Sequence, residues 1–150
     1  MQEIEREVPT SSNWSHGHYQ GLFRTADRGG PKYFVLVAED LSATEPEAKF
    51  AVASRVVAYL AAHSVEKEWE LHYLVVARAC QRRGVGTLLL NELISQARAE
   101  GGGEILLEVR ESNLAARSLY ERAGFQEHGS RKNYYNNPVE NAILYRLSLG

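Results

Sequence analysis

The chain has 150 residues, 44% of them hydrophobic and 24% charged, the make-up of one ordinary globular domain over residues 1–150 with a core of its own. A formal net charge of −2 leaves no overall basic field for nucleic acid, and a single cysteine, Cys80, excludes an internal disulfide and suits a reducing cytosol. No apolar run reaches the roughly 18 residues of a membrane span, and the acidic start Met1–Glu7 lacks the regions of a secretory signal, so a cytoplasmic setting away from membranes is expected.

Residues 1–12 are charged, then polar around Pro9, and read as a mobile arm or a helical remnant. Trp14, Tyr19, Leu22 and Phe23 form one face of a short helix, against which Gly17 and Gly21 count. Gly29-Gly30-Pro31 marks a turn, and Tyr33–Ala38 is a strand. Leu41–Lys49 reads as a long exposed connection. Phe50–His63 fits either a helix or a buried strand; a hairpin with Tyr33–Ala38 covers both apolar segments and favours the strand. Glu66–Ala77 is the next strand. A helix follows from Val85 to about Ala99, with an apolar stripe at 85, 88, 89, 93 and 97, and Gly101-Gly102-Gly103 ends it. Glu104–Arg110 is a strand, Ser112 or Asn113 caps a helix that reaches Ala123, and Gly124 stops it. Phe125–Tyr135 and Ala142–Leu149 are two strands joined at Asn136-Asn137-Pro138. The order is α/β in composition, with strands and helices alternating only in the middle.

The stretch Gln81-Arg82-Arg83-Gly84-Val85-Gly86-Thr87 lies between a strand and a helix. Such a turn aims several backbone N–H groups at one point, at the positive end of a helix dipole, where anions bind. It is not a Walker loop, because no Gly-Lys-Ser/Thr follows. Nor is it a good dinucleotide fingerprint, since Leu89 stands where a third small residue belongs. Alone it is equally a tight turn with two solvated arginines.

Further along stands Leu107-Glu108-Val109-Arg110-Glu111-Ser112-Asn113-Leu114-Ala115-Ala116-Arg117-Ser118-Leu119-Tyr120-Glu121-Arg122-Ala123-Gly124-Phe125, and then Arg131-Lys132-Asn133-Tyr134-Tyr135 and Glu140-Asn141-Ala142. With Gln81-x-x-Gly84-x-Gly86, these resemble the ordered motifs of the GNAT superfamily of acyl-CoA N-acyltransferases over about residues 66–149. Within it they are most like the bacterial ribosomal-protein alanine N-acetyltransferases. The resemblance implies a central mixed, mostly antiparallel sheet with flanking helices. It also implies acetyl-CoA as co-substrate and a protein or peptide N-terminus as acceptor.

On that resemblance, the N–H groups of Arg83, Gly84, Val85, Gly86 and Thr87 wrap the coenzyme A pyrophosphate without a metal. Arg82 and Arg83 add charge there or are merely solvated. The strand before the turn splays, so that backbone at Leu74, Val75 and Val76 pairs with the pantetheine amides. Glu108 is the odd residue in an apolar strand, sharing a face with Leu106 and Arg110 by alternation. Desolvation there raises a carboxylate's pKa and makes a better base; the plainer reading is a surface pairing with Arg110. By resemblance Glu108 is the base that deprotonates the amine. Tyr120 lies seven residues after Asn113, two turns along one helix face. By resemblance it is the acid that protonates the leaving thiolate; the plainer reading is a tyrosine packed on the sheet. Asn113 caps the helix and also bonds the cofactor through its other atoms. Tyr134 and Tyr135 wall a peptide groove or belong to the core. The pair His16-x-His18 has no third ligand nearby, so no metal is expected.

Two departures stand out. Relatives carry a strand and a helix ahead of the residues matching Trp14-Ser15, whereas only a dozen residues precede them here, so the first strand and helix are expected to be short or missing. An absent edge strand would leave Tyr33–Ala38 open on one side, which invites a homodimer. Ala77-Arg78-Ala79-Cys80 also lacks the proline and acidic or histidine residue that relatives often carry. The competing functions are acetylation of a small amine or a lysine, and a non-catalytic acyl-CoA-binding module.

Overall fold

A computed structural model describes residues 30–40 and 55–150. The readings of residues 1–12, 14–28 and 41–49, and of any strand ahead of Tyr33, fall outside them. The described elements are β1 (Lys32–Asp40), β2 (Arg55–Val65), β3 (Glu68–Val76), a 3-10 turn (Arg78–Cys80), α1 (Val85–Ala99), β4 (Glu104–Arg110), α2 (Leu114–Arg122), β5 (Gln126–Asn136) and β6 (Val139–Ser148). One sheet runs β1-β2-β3-β4-β6-β5. Every neighbouring pair is antiparallel except β3 and β4, which are parallel. Parallel neighbours need a crossover, and α1 supplies it.

The segment that fitted both helix and strand is β2, from Arg55 onward, and its ambiguity has a physical cause. Ala58, Leu60 and Ala62 face the main core, while Val57, Tyr59 and Ala61 face a second buried cluster. A strand covered on both sides has no polar alternation to read. Its antiparallel pairing with β1 is as expected.

Both α1 and α2 lie on one face of the sheet. Leu90, Leu93 and Ala97 of α1 are fully buried against Leu60, Leu71, Ile105 and Leu107. Two such leucines contribute about 1.5–3 kcal/mol each, enough to fix the helix and the turn at its start. The expected stripe is corrected at one position: Leu88 is 69% exposed, and Leu90 and Ile94 take its place. At 100° per residue the buried set centres between Leu89 and Leu90, and Leu88 falls on the opposite side. The helix ends as read, with Gly101 at φ 73°. No helix among the described residues is long and apolar enough to cross a membrane.

Candidate active site

β3 pairs with β2 from Glu68 to Val76, but with β4 only at its beginning. The parallel ladder joins Glu68–Leu71 to Glu104–Leu107 and then stops. The parting coincides with a β-bulge: Ala61 faces Tyr73 and Ala62 faces Leu71, which leaves His72 without an opposite residue. A bulge bends its strand, and here the two parallel strands open into a fork beyond it. The bulge also reverses the alternation. Trp69 and Leu71 face the helices, then Tyr73 and Val75 face away, and Leu74 and Val76 face the helices again. The side chains of Leu74, Val75 and Val76 are thus packed while their backbone lines the fork.

The chain leaves β3 through the 3-10 turn at Arg78–Cys80, held by Ala77 N–H to the Val57 carbonyl at 2.8 Å. It enters α1 through Arg82 at φ 60° and Gly84 at φ 83°. Among the described residues no side chain caps α1, and no acidic residue stands in its first turn, so none of them occupies the N–H groups of Val85, Gly86 and Thr87, which are free to meet an outside acceptor. Arg82 and Arg83 are exposed beside them. A Cβ on Gly86 would stand 3.4 Å from Leu119 Cδ2 and 3.6 Å from Val76 Cγ2, so the turn is pressed against both α2 and the end of β3. Free donors, the positive end of a helix dipole and no competing carboxylate fit a pyrophosphate. One refinement concerns Val76: its carbonyl already accepts from Gln81 Nε2 at 3.1 Å.

At the start of α2, Asn113 Oδ1 accepts from Ala116 N–H at 3.2 Å. This settles the cap in favour of Asn113 over Ser112, and the amide nitrogen is not used by the cap. Tyr120 is 7% exposed, its ring against Phe125 and Tyr145. Burial, and then the nearby Tyr135, push its hydroxyl well above the ordinary phenol range. Tyr145 pins α2 to β6 from below: its O–H donates to Glu121 Oε1 at 2.6 Å and its oxygen accepts from Arg117 Nε at 3.2 Å.

Glu108 shares a face with Leu106 and Arg110, as alternation predicted, and that face points away from the helices. Its partner is not Arg110. Arg131 Nη1 lies 2.7 Å from Glu108 Oε1, and the guanidinium rests 4.3 Å over the Tyr134 ring. Burial raises the Tyr134 hydroxyl, and the Glu108 carboxylate raises it further by charge and hydrogen bonding. Arg110 turns to the hairpin instead, 3.1 Å from Glu140 Oε2 and 4.1 Å over the Tyr135 ring. Burial pushes Tyr135 up to about 12 despite that guanidinium.

Glu140 also accepts from Ser112 N–H, and Asn141 donates to Glu111 Oε2 at 2.9 Å while accepting from Asn133 N–H at 3.1 Å. Asn133 has φ 52° within a second register shift, between Arg131 and Tyr135. The β5–β6 hairpin is thereby clasped to the loop that carries Asn113. In the sequence these residues stand out only as a motif: the Asn137-Pro138 turn puts Tyr135 opposite Glu140, but the contacts of Glu140 with Ser112 and of Asn141 with Glu111 join residues 28 and 30 positions apart. A cavity of about 320 Å³ lies elsewhere, at the other end of that hairpin, lined by Gly124, Gln126, Glu127, His128, Arg146, Leu147 and Ser148, none of them a candidate residue.

Residues 2–125 match the family described as Acetyltransferase (GNAT). The [ribosomal protein bS18]-alanine N-acetyltransferase of Haemophilus ducreyi is 36% identical over 104 residues, 67% of this chain and 72% of that protein. Its counterpart from Salmonella typhimurium is 38% identical over 103 residues, 67% of this chain and 70% of that protein. The crystal structure of the ribosomal-protein-S18-alanine N-acetyltransferase from Escherichia coli superimposes with a TM-score of 0.77 at 28% identity, covering 99% of this chain and 85% of that one.

Proposed function

The chain belongs to the acetyltransferase (GNAT) family and is an acetyl-CoA-dependent N-acetyltransferase, and on that premise we propose that its acceptor is a protein N-terminal α-amine, that of a ribosomal protein alanine. The carrying observation is the similarity to enzymes named for that acceptor, 36% and 38% identical to this chain.

The fork between β3 and β4 is the proposed seat of the pantetheine, with the backbone of Leu74, Val75 and Val76 as its partner. The open N–H groups of Arg83, Gly84, Val85, Gly86 and Thr87 hold the pyrophosphate, and the Arg82 and Arg83 charges add to them. Asn113 offers its amide N–H groups from the start of α2. Glu108 takes the proton from the incoming ammonium, and the freed nitrogen attacks the thioester carbonyl carbon. The C–S bond then breaks, and Tyr120 donates its proton, or a hydrogen bond, to the leaving sulfur. A phenol raised by burial stays protonated throughout the working range, as a donor must. It is also a weaker acid than a thiol, so its transfer runs concertedly with C–S cleavage. Arg131 and Tyr134 flank Glu108 and shape the acceptor side.

Incubation of the chain with acetyl-CoA and a peptide panel, read by mass spectrometry, tests this. Acetylation confined to the α-amine of an alanine-first ribosomal peptide is expected. Transfer only to lysine side chains or small amines would overturn the acceptor, and tight acetyl-CoA binding with no turnover on any amine would overturn the catalytic roles.

A further inference from the structure

Three side chains with metal-binding chemistry meet on β2 and β3, and none has a part in the proposed transfer. His63 and Glu70 stand directly opposite each other in the antiparallel ladder, and the bulge at His72 brings a second imidazole onto their face. His63 Nδ1 and His72 Nε2 are 2.6 Å apart, with the rings within 8° of parallel. The Glu70 carboxylate lies 3.9 Å from His63 Nε2 and 3.8 Å from His72 Nδ1. One donor atom from each residue falls within 4.8 Å of the other two. The imidazoles are mostly withdrawn from water while Glu70 is half exposed at the rim.

Two nitrogen lone pairs do not tolerate a 2.6 Å approach unless something positive lies between them. A shared N–H meets that need at this distance, and a metal ion meets it once the two nitrogens move apart. Two protonated rings do not. The group offers two imidazoles and a carboxylate, a donor set suited to borderline divalent ions.

We propose that His63, His72 and Glu70 bind one divalent transition-metal ion of the zinc class, through one nitrogen of each ring and one carboxylate oxygen, with water in the fourth position. Zinc bonds of about 2.0–2.1 Å in a tetrahedron put ligand atoms roughly 3.3 Å apart. The facing nitrogens need to open by less than an ångström, and the exposed Glu70 swings in. The site adjoins the acceptor face: Glu70 lies opposite Leu106, two residues before Glu108, and the charges of both glutamates act on Tyr134. It stands independently of the acceptor assigned above.

Calorimetric titration of the full chain with Zn²⁺ at neutral pH is expected to saturate at one ion per chain. His63→Ala and His72→Ala should each weaken binding by at least about tenfold, the scale on which a lost supporting group acts, and Glu70→Gln less. His16→Ala with His18→Ala should leave it unchanged. Binding that survives His63→Ala and His72→Ala, or that vanishes with the His16 and His18 changes instead, overturns the site. Should the His63 or His72 variants fail to fold, ring ¹⁵N shifts of the unaltered chain read the ligands directly. Shifts confined to His63 and His72 support the site, and unmoved His63 and His72 rings at saturating Zn²⁺ refute it.

Discussion

At the fork the molecule presents backbone: carbonyl and N–H groups along His72–Val76 and the uncapped first turn of α1. Along β4 and the β5–β6 hairpin it presents charge and rings: Glu108 with Arg131 and Tyr134, then Arg110 with Tyr135 and Glu140. A cofactor made of repeated amides and a pyrophosphate is held well by groups every residue possesses, provided the strand and helix point the right way. An amine must be chosen and deprotonated, and only side chains do that. The first region therefore depends on chain path, and the second on which residues stand opposite one another.

The sharpest way to break this division is Glu108→Gln. The rate near pH 7 should fall by about a hundredfold or more, the span of a lost general base, while calorimetry finds acetyl-CoA affinity intact. The loss should shrink as pH rises, because the amine sheds its own proton. Undiminished turnover across the pH range would remove Glu108 from the chemistry. Tyr120→Phe should cost about tenfold or more in kcat by the same reasoning, with the KM for acetyl-CoA unmoved; a pure rise in KM would make the ring a packing group only. Gly86→Val attacks the other region. Its methyl groups meet Leu119 and Val76, a crowding worth about 1–3 kcal/mol, and acetyl-CoA binding should weaken about tenfold or more. Unchanged binding by calorimetry would separate the turn from the cofactor.

The smallest effect tests the clasp. Ser112 N–H and Arg110 hold the Glu140 carboxyl below its ordinary range, so its stabilising effect is full above the unfolded pKa of about 4.3 and is lost as pH falls through the folded value. The melting temperature of Glu140→Gln should lie below that of the parent at neutral pH, with the gap closing in acid. A gap that persists below pH 3 would show that the carboxylate's charge is not what binds hairpin to loop.

The backbone region was the more legible in the sequence. The bounds of α1 and β4, the face of Glu108 and a cap at Ser112 or Asn113 follow from local pattern, because helix period, strand period and capping are short-range effects. The fork was expected from resemblance alone, and its origin, the unpaired His72, leaves no local mark: a bulge is a property of two strands. Arg131 as the partner of Glu108, in place of the nearer Arg110, has the same cause. It requires the hairpin register and the kink at Asn133, which long-range pairing decides. His63, Glu70 and His72 escaped notice likewise, while His16-x-His18 drew attention by spacing.

The strand that leaves its neighbour at Leu71 has one more consequence. Amides locked between two strands trade their protons with solvent only when the sheet opens, whereas those of His72–Val76 that point away from β2 face the open side of the fork. In heavy water this half of β3 should therefore label early in the free protein, beside the slow-labelling amides shared with β2. Saturation with acetyl-CoA should close that difference, so that the ligand takes the place of the missing strand.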